Sequence, residues 1–147
     1  MTEKENFKKF DKGVFLVNVL AVIYDSEKKK ILIGKREKDP YIKELSWCFL
    51  GGRPTYDEEL ENSLKKEVKE KTGLVINIKN ILFAKTYPEK REFLSIYYLC
   101  EVVGGEEKTG EEFTELKWVN PEEIENCFTT SFHPQLKKII MNLNKND

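Results

Sequence analysis

Histidine is all but missing from this chain, with His133 the only one among 147 residues, which leaves a Ser-His-Asp relay or a histidine-ligated zinc mechanism little material. Cysteine is also sparse. Cys48, Cys100 and Cys127 are odd in number and widely spaced, and none forms a CxxC pair. They read as reduced thiols of a cytoplasmic protein, which argues against a disulfide framework or a structural zinc site. Neither sign of charge is in excess: 25 Lys and Arg stand against 26 Asp and Glu, for a net charge of -1. A broad footprint on a phosphate backbone is therefore not expected, and nucleic acid is not an expected partner. The best apolar run, VFLVNVLAVIY, is too short to span a bilayer and carries Asn18, while the opening MTEKENFKKFDKG is too charged for a signal peptide. No membrane partner is expected. Repeats, low-complexity tracts and linkers are absent too, so residues 1–147 are expected to form a single domain. A chain of that size buries about two thirds of its unfolded surface and needs no metal merely to fold.

What is present is a series of short apolar stretches separated by turns. Residues 14–24 and ILIGKRE, joined by the polar DSEKKK, predict a β-hairpin. A short strand at Trp47–Leu50 leads into paired glycines, Gly51 and Gly52. Thr55 and Glu58 have capping-box spacing, which predicts a helix from about Tyr56, and Gly73 is the left-handed stop that would end it near Thr72. LVINIKNILFAKTYP and EFLSIYYLCEVV read as strands joined around Pro88. GGEEKTGEEF reads as a flexible acidic loop and TELKWV as a further strand. Asn120, Pro121 and Glu123 form a helix start, and an amphipathic helix from about Pro134 to Leu143 gathers Leu136, Ile139, Ile140 and Leu143. Strands and hairpins interleaved with helices predict an α/β fold with one mixed sheet packed between helices.

The helix after the glycines carries the chemistry. On a helical wheel Leu60, Leu64 and Val68 form one apolar stripe, with Glu67 beside it and Glu70 one turn on along the same edge. A carboxylate at the margin of a core needs a positive partner. That partner is either a lysine, Lys71 standing at i+4 from Glu67, or a cation. From Gly52 the sequence runs five residues to Glu58, then seven to Lys66, then EVKEKTGL. This pattern closely resembles the Nudix hydrolase signature, G-x5-E-x7-R-E-U-x-E-E-x-G-U with U apolar. Gly52, Glu58, Glu67, Val68, Glu70, Gly73 and Leu74 match, whereas Lys66 replaces the arginine and Lys71 the last glutamate. The order of elements on either side is similar to that of Nudix domains over nearly the whole chain.

The resemblance implies a Nudix-type α/β/α sandwich and Mg²⁺-dependent hydrolysis of the pyrophosphate of a nucleoside diphosphate linked to another group, with Mn²⁺ able to substitute. It implies Glu67 and Glu70 as metal ligands, a carbonyl of Gly51 or Gly52 completing the shell, and Glu58, Lys66 and Gly73 as structural members of the motif. Glu112, or Glu111, would be the further carboxylate drawn from the acidic loop as ligand or general base, while Glu115 is expected to face solvent. Arg53, Arg36 and Lys35 are candidate phosphate contacts, the last two equally readable as surface charges. Trp47, Phe49 and Tyr87 either stack a base or belong to the core, and His133 reads as structural. Lys71 puts an ammonium where the family has a metal-binding glutamate. Three readings follow: fewer metals with activity kept, compensation from the acidic loop, or a nucleotide-binding domain that does not cleave. Pro88, fifteen residues beyond Gly73, resembles the downstream proline of ADP-ribose-cleaving members. ADP-ribose or another nucleotide sugar is therefore favoured over a nucleoside triphosphate. A small-molecule nucleotide is the expected partner, and the family's habit admits a homodimer.

Overall fold

The computed structural model describes residues 12–37, 46–110 and 112–145. Strands β1 (Leu16–Asp25), β2 (Lys30–Arg36), β3 (Trp47–Cys48) and β4 (Leu50–Gly52) precede helix α1 (Leu60–Thr72). Strands β5 (Leu74–Tyr87), β6 (Lys90–Gly105) and β7 (Phe113–Val119) follow, then a 3-10 turn (Pro121–Glu123) and helices α2 (Ile124–Cys127) and α3 (Pro134–Leu143). The seven strands form one mixed sheet in the order β3-β2-β1-β6-β5, with β4 pairing β1 and β7 pairing β2.

β1 organises this sheet because its residues are apolar on both faces. Val19, Ala21 and Ile23 point into one core with Leu64 and Val68 of α1. Val22 and Tyr24 point into a second core with Ile124 of α2 and with Leu136 and Ile140 of α3. The period-2 alternation of a strand thus divides one sequence run between two helical layers, giving the expected α/β/α sandwich. Leu64 and Val68 are fully buried, each contributing about 1.5–3 kcal/mol by removal from water.

One local expectation holds over a short stretch and another is corrected. β1 and β2 do form a hairpin, but it pairs only Tyr24 with Ile31 and Asp25 with Lys30. Below those pairs β4 takes that edge of β1, matching Val19 to Gly52, Leu20 to Gly51 and Ala21 to Leu50. The capping box is not formed. The Thr55 hydroxyl donates to Asp57 at 2.6 Å and the Glu58 carboxylate accepts from Lys66. With both side chains engaged elsewhere, α1 starts at Leu60 behind an uncapped Glu59. Its other end is as expected: Gly73 sits at φ 75°, the left-handed region a side chain resists, and its N–H donates to the Lys69 carbonyl.

Candidate active site

The end of the Glu67 side chain, reaching from α1, fills the space over Gly52. A Cβ there would lie 2.7 Å from both Cδ and Oε2 of Glu67, closer than any methyl group can approach. β4 therefore holds the Glu67 carboxylate directly against the loop, half-buried with 27% of the side chain exposed. Lys71, one turn further along α1, completes the contact. Its Nζ donates to the Gly51 carbonyl at 2.5 Å and pairs with Glu67 Oε2 at 2.9 Å. Only 8% of Lys71 is exposed, so the i,i+4 pair that composition alone makes expected is here drawn into the protein.

The C-terminal end of α1 also fixes the acidic loop. Backbone N–H groups of Lys108 and Gly110 donate to the carbonyls of Thr72 and Lys71, each at 2.8 Å. They satisfy carbonyls that a helix end leaves without internal partners. Trp118 Nε1 donates to Glu107 at 2.7 Å. The stretch expected to be flexible is thus tied at three points, and its first glycines, Gly104 and Gly105, belong to β6. Glu112 then turns the chain into β7 at φ 68°. Its Oε2 lies 3.1 Å from Nη2 of Arg36. The Arg36 guanidinium and the Lys71 ammonium both lie 5.9 Å from the centroid of the Phe113 ring.

These groups share one cleft of about 450 Å³. Of the residues singled out in the sequence, Gly52, Arg53, Arg36, Glu67 and Glu112 line it, as do Phe49 and Tyr87. Phe49 packs edge-on against Tyr97 and Phe128, and the Tyr97 hydroxyl donates to that of Tyr87 at 3.0 Å. Burial raises both phenol pKa values, Tyr97 the more strongly, so this wall stays neutral. Lys35 and Glu70 lie outside the lining, and Glu70 is exposed where the wheel places it at the core margin. Glu115 is exposed as expected, and Glu111 falls outside the described residues. Trp47 carries the Lys117 ammonium 4.8 Å from its ring. His133 caps α3 by accepting from the Gln135 N–H at 3.1 Å, a structural role. Glu58 pairs with Lys66 outside the cleft, and that hydrogen bond holds the ammonium above its ordinary range.

Sequence reasoning missed the depth of Lys71 and the contribution of Lys90, Ser131 and Phe132 to the cleft. A signal for Lys71 was available. It stands three residues after Val68 and seven after Leu64, on the buried stripe itself. The residues of the 128–132 stretch carry no comparable periodicity.

The divalent ion implied by the resemblance can be tested against this geometry. At the inner position, beside Gly51 and Glu67, the residues do not fit it. The Gly51 carbonyl and Glu67 Oε2 are both bonded to an ammonium. Among the described residues, no three Asp, Glu, His or Cys side chains converge as a metal cluster.

Comparison with known proteins agrees with the geometry. Residues 14–143 match the NUDIX domain. A protein of Methanocaldococcus jannaschii named ADP-ribose pyrophosphatase is 31% identical over 122 residues, covering 79% of this chain and 69% of that one. The nucleoside triphosphatase NudI of Escherichia coli is 29% identical over 105 residues, covering 63% and 74%. Among solved structures, a Nudix hydrolase from Nitrosomonas europaea superposes with a TM-score of 0.74 over 91% of this chain and 74% of that one, at 18% identity, a likeness of fold. The glycine loop, the helix pressed against it and a match over nearly the whole chain lead to one conclusion: this chain belongs to the Nudix hydrolase family.

Proposed function

We propose that the protein hydrolyses the pyrophosphate bond of a nucleoside diphosphate linked to another moiety, with ADP-ribose or another nucleotide sugar as the substrate class. The observation that carries the reading is the cleft itself. Arg36, Arg53, Lys71 and Lys90 line it from four elements or loops, together with the aromatic side chains of Phe49, Tyr87 and Phe132. Cations suit the charges of a diphosphate, and aromatic faces suit a base or sugar. The name of the Methanocaldococcus relative favours ADP-ribose.

Nudix hydrolases generally use divalent metals, and Mg²⁺, or Mn²⁺ in its place, is part of this proposal. Such ions are commonly held by one or two carboxylates together with substrate phosphates, whose charge they neutralise. The chain's own groups do the rest. Arg53 and Lys90 bind phosphate oxygens, Gly52 leaves room for Glu67 against the loop, and Glu112, oriented by Arg36, accepts the proton of the water that attacks phosphorus. A second reading, nucleotide binding without cleavage, is favoured by one observation, the Lys71 ammonium bonded to Gly51 and Glu67.

One experiment separates the two. The protein and its Glu67→Gln variant are incubated with ADP-ribose, GDP-mannose, dinucleoside polyphosphates and nucleoside triphosphates with Mg²⁺ or Mn²⁺, and products are read by mass spectrometry. A nucleoside monophosphate from nucleotide sugars, made by the wild type and lost in the variant, supports the hydrolase. Nucleotide binding with no turnover by folded protein would establish the second reading. Turnover of triphosphates alone would move the substrate class to that of NudI.

A further inference from the structure

Two oxygens in this site are arranged as a cation would have them, and a cation is already there. The Gly51 carbonyl and Glu67 Oε2 come from different elements, yet both bond the same Nζ at 2.5 and 2.9 Å. A lysine serving only as an i,i+4 partner needs neither burial nor a carbonyl twenty residues away. Lys71 has both, with 8% exposure and its stem on the apolar stripe of α1. A backbone carbonyl plus a carboxylate oxygen is also the kind of donor pair that hard divalent ions take.

We propose that the Lys71 ammonium is a tethered cation that takes the place of a divalent ion at the Gly51–Glu67 pair, so that the site binds one metal fewer. This rests on the hydrolase reading. An ammonium has three N–H donors and no acceptor. Two are directed at Gly51 and Glu67, and since Lys71 also lines the cleft, the third is available to a phosphate oxygen. The tether brings a single positive charge in place of two, but that charge is covalently held and cannot be chelated. The same ammonium excludes a divalent ion from those two oxygens by occupying them and by repulsion. Lys71 thereby acts on substrate charge through its own contact and on Glu67 by holding it in place.

The test counts metal without requiring turnover. Mn²⁺ binding to wild type, Lys71→Glu and Lys71→Gln is measured by the electron paramagnetic resonance signal of free Mn²⁺, with α,β-methylene-ADP as the diphosphate probe and circular dichroism as the check on folding. The expected result is one additional Mn²⁺ per chain in Lys71→Glu, and at least tenfold tighter Mn²⁺ binding in Lys71→Gln than in wild type. Equal stoichiometry in wild type and Lys71→Glu overturns the proposal, as does unchanged affinity in Lys71→Gln. If Lys71→Glu does not fold, Lys71→Gln decides alone. Failure of the hydrolase reading is seen separately, as a wild type that turns over no substrate whatever its metal count.

Discussion

Two ion pairs in this protein have the same length and different surroundings, and this makes a prediction about what burial does to a salt bridge. Lys71 and Glu67 are 2.9 Å apart with side chains 10% and 27% exposed. Lys137 and Glu125 are also 2.9 Å apart, with 44% and 46% exposed. At that distance two unit charges attract by about 1.4 kcal/mol in bulk water and about 6 kcal/mol at an effective dielectric constant near 20. Desolvation of each charge lowers the net worth of a buried pair but cancels in a double-mutant cycle, so the Lys71–Glu67 coupling should be about 2–6 kcal/mol and that of the exposed pair about 0.2–1 kcal/mol. Double-mutant cycles of Glu67→Gln with Lys71→Met, and of Glu125→Gln with Lys137→Met, measured by urea unfolding, would read the two couplings on one scaffold. In 0.5 M salt the exposed coupling should fade and the buried one persist, because screening acts through solvent. Equal couplings, or loss of both in salt, would refute the reasoning.

Three further outcomes follow from the geometry. Gly52→Ala forces Glu67 away from the loop, since the new methyl would meet its carboxylate at 2.7 Å; kcat/KM on a cleaved nucleotide should fall by about 100-fold, as it can for a displacement on the order of 1 Å, and unchanged kinetics would show that the carboxylate need not sit there. Leu64→Ala empties a fully buried position on α1 and should lower unfolding stability by about 2–5 kcal/mol in urea titration, a loss under 1 kcal/mol contradicting the packing. Burial pushes the Cys100 thiol up from 9.0 to about 12, so a thiol reagent at pH 8 should modify at most Cys48 and Cys127 in native protein and all three cysteines in urea. Between those two values the unfolded chain releases a proton that the folded chain keeps, so this group's stabilisation is complete below pH 9 and is lost as pH rises towards 12; stability independent of pH across that window would count against it.

The sheet and its two helical layers were legible because strand alternation and helical stripes are local, periodic signals. Leu64 with Val68, and Leu136 with Ile140, identified the buried faces of α1 and α3 by spacing alone. Gly73 marked the end of α1 for the same kind of reason, a backbone conformation that few residues adopt. The start of α1 was less legible than its end, although α3 begins at Pro134 as expected. Thr55 and Glu58 have the spacing of a capping box, but Asp57 and Lys66 compete for them, and sequence does not rank competing partners. The glycine loop and Glu67 were found because the motif is contiguous. Of the aromatic wall only Phe49 and Tyr87 were singled out, because Tyr97, Phe128 and Phe132 join them only through tertiary packing.

The parallel pairing of β1 with β6 also governs how the chain acquires its structure. Leu16 lies beside Phe93, 77 residues later, and the ladder continues to Ile23 beside Cys100. On a ribosome adding about 5–20 residues per second, the most apolar strand of the protein waits roughly 4–15 s for that neighbour. Its other edge is covered sooner, because β4, with Gly52 opposite Val19, is synthesised well before β6. The glycine loop is therefore among the first segments to shield the nascent strand. Docking of the β5–β6 hairpin onto that strand closes a long loop, and the β2–β7 ladder, with Ile31 opposite Val119, closes a longer one; such non-local pairings are slow to form.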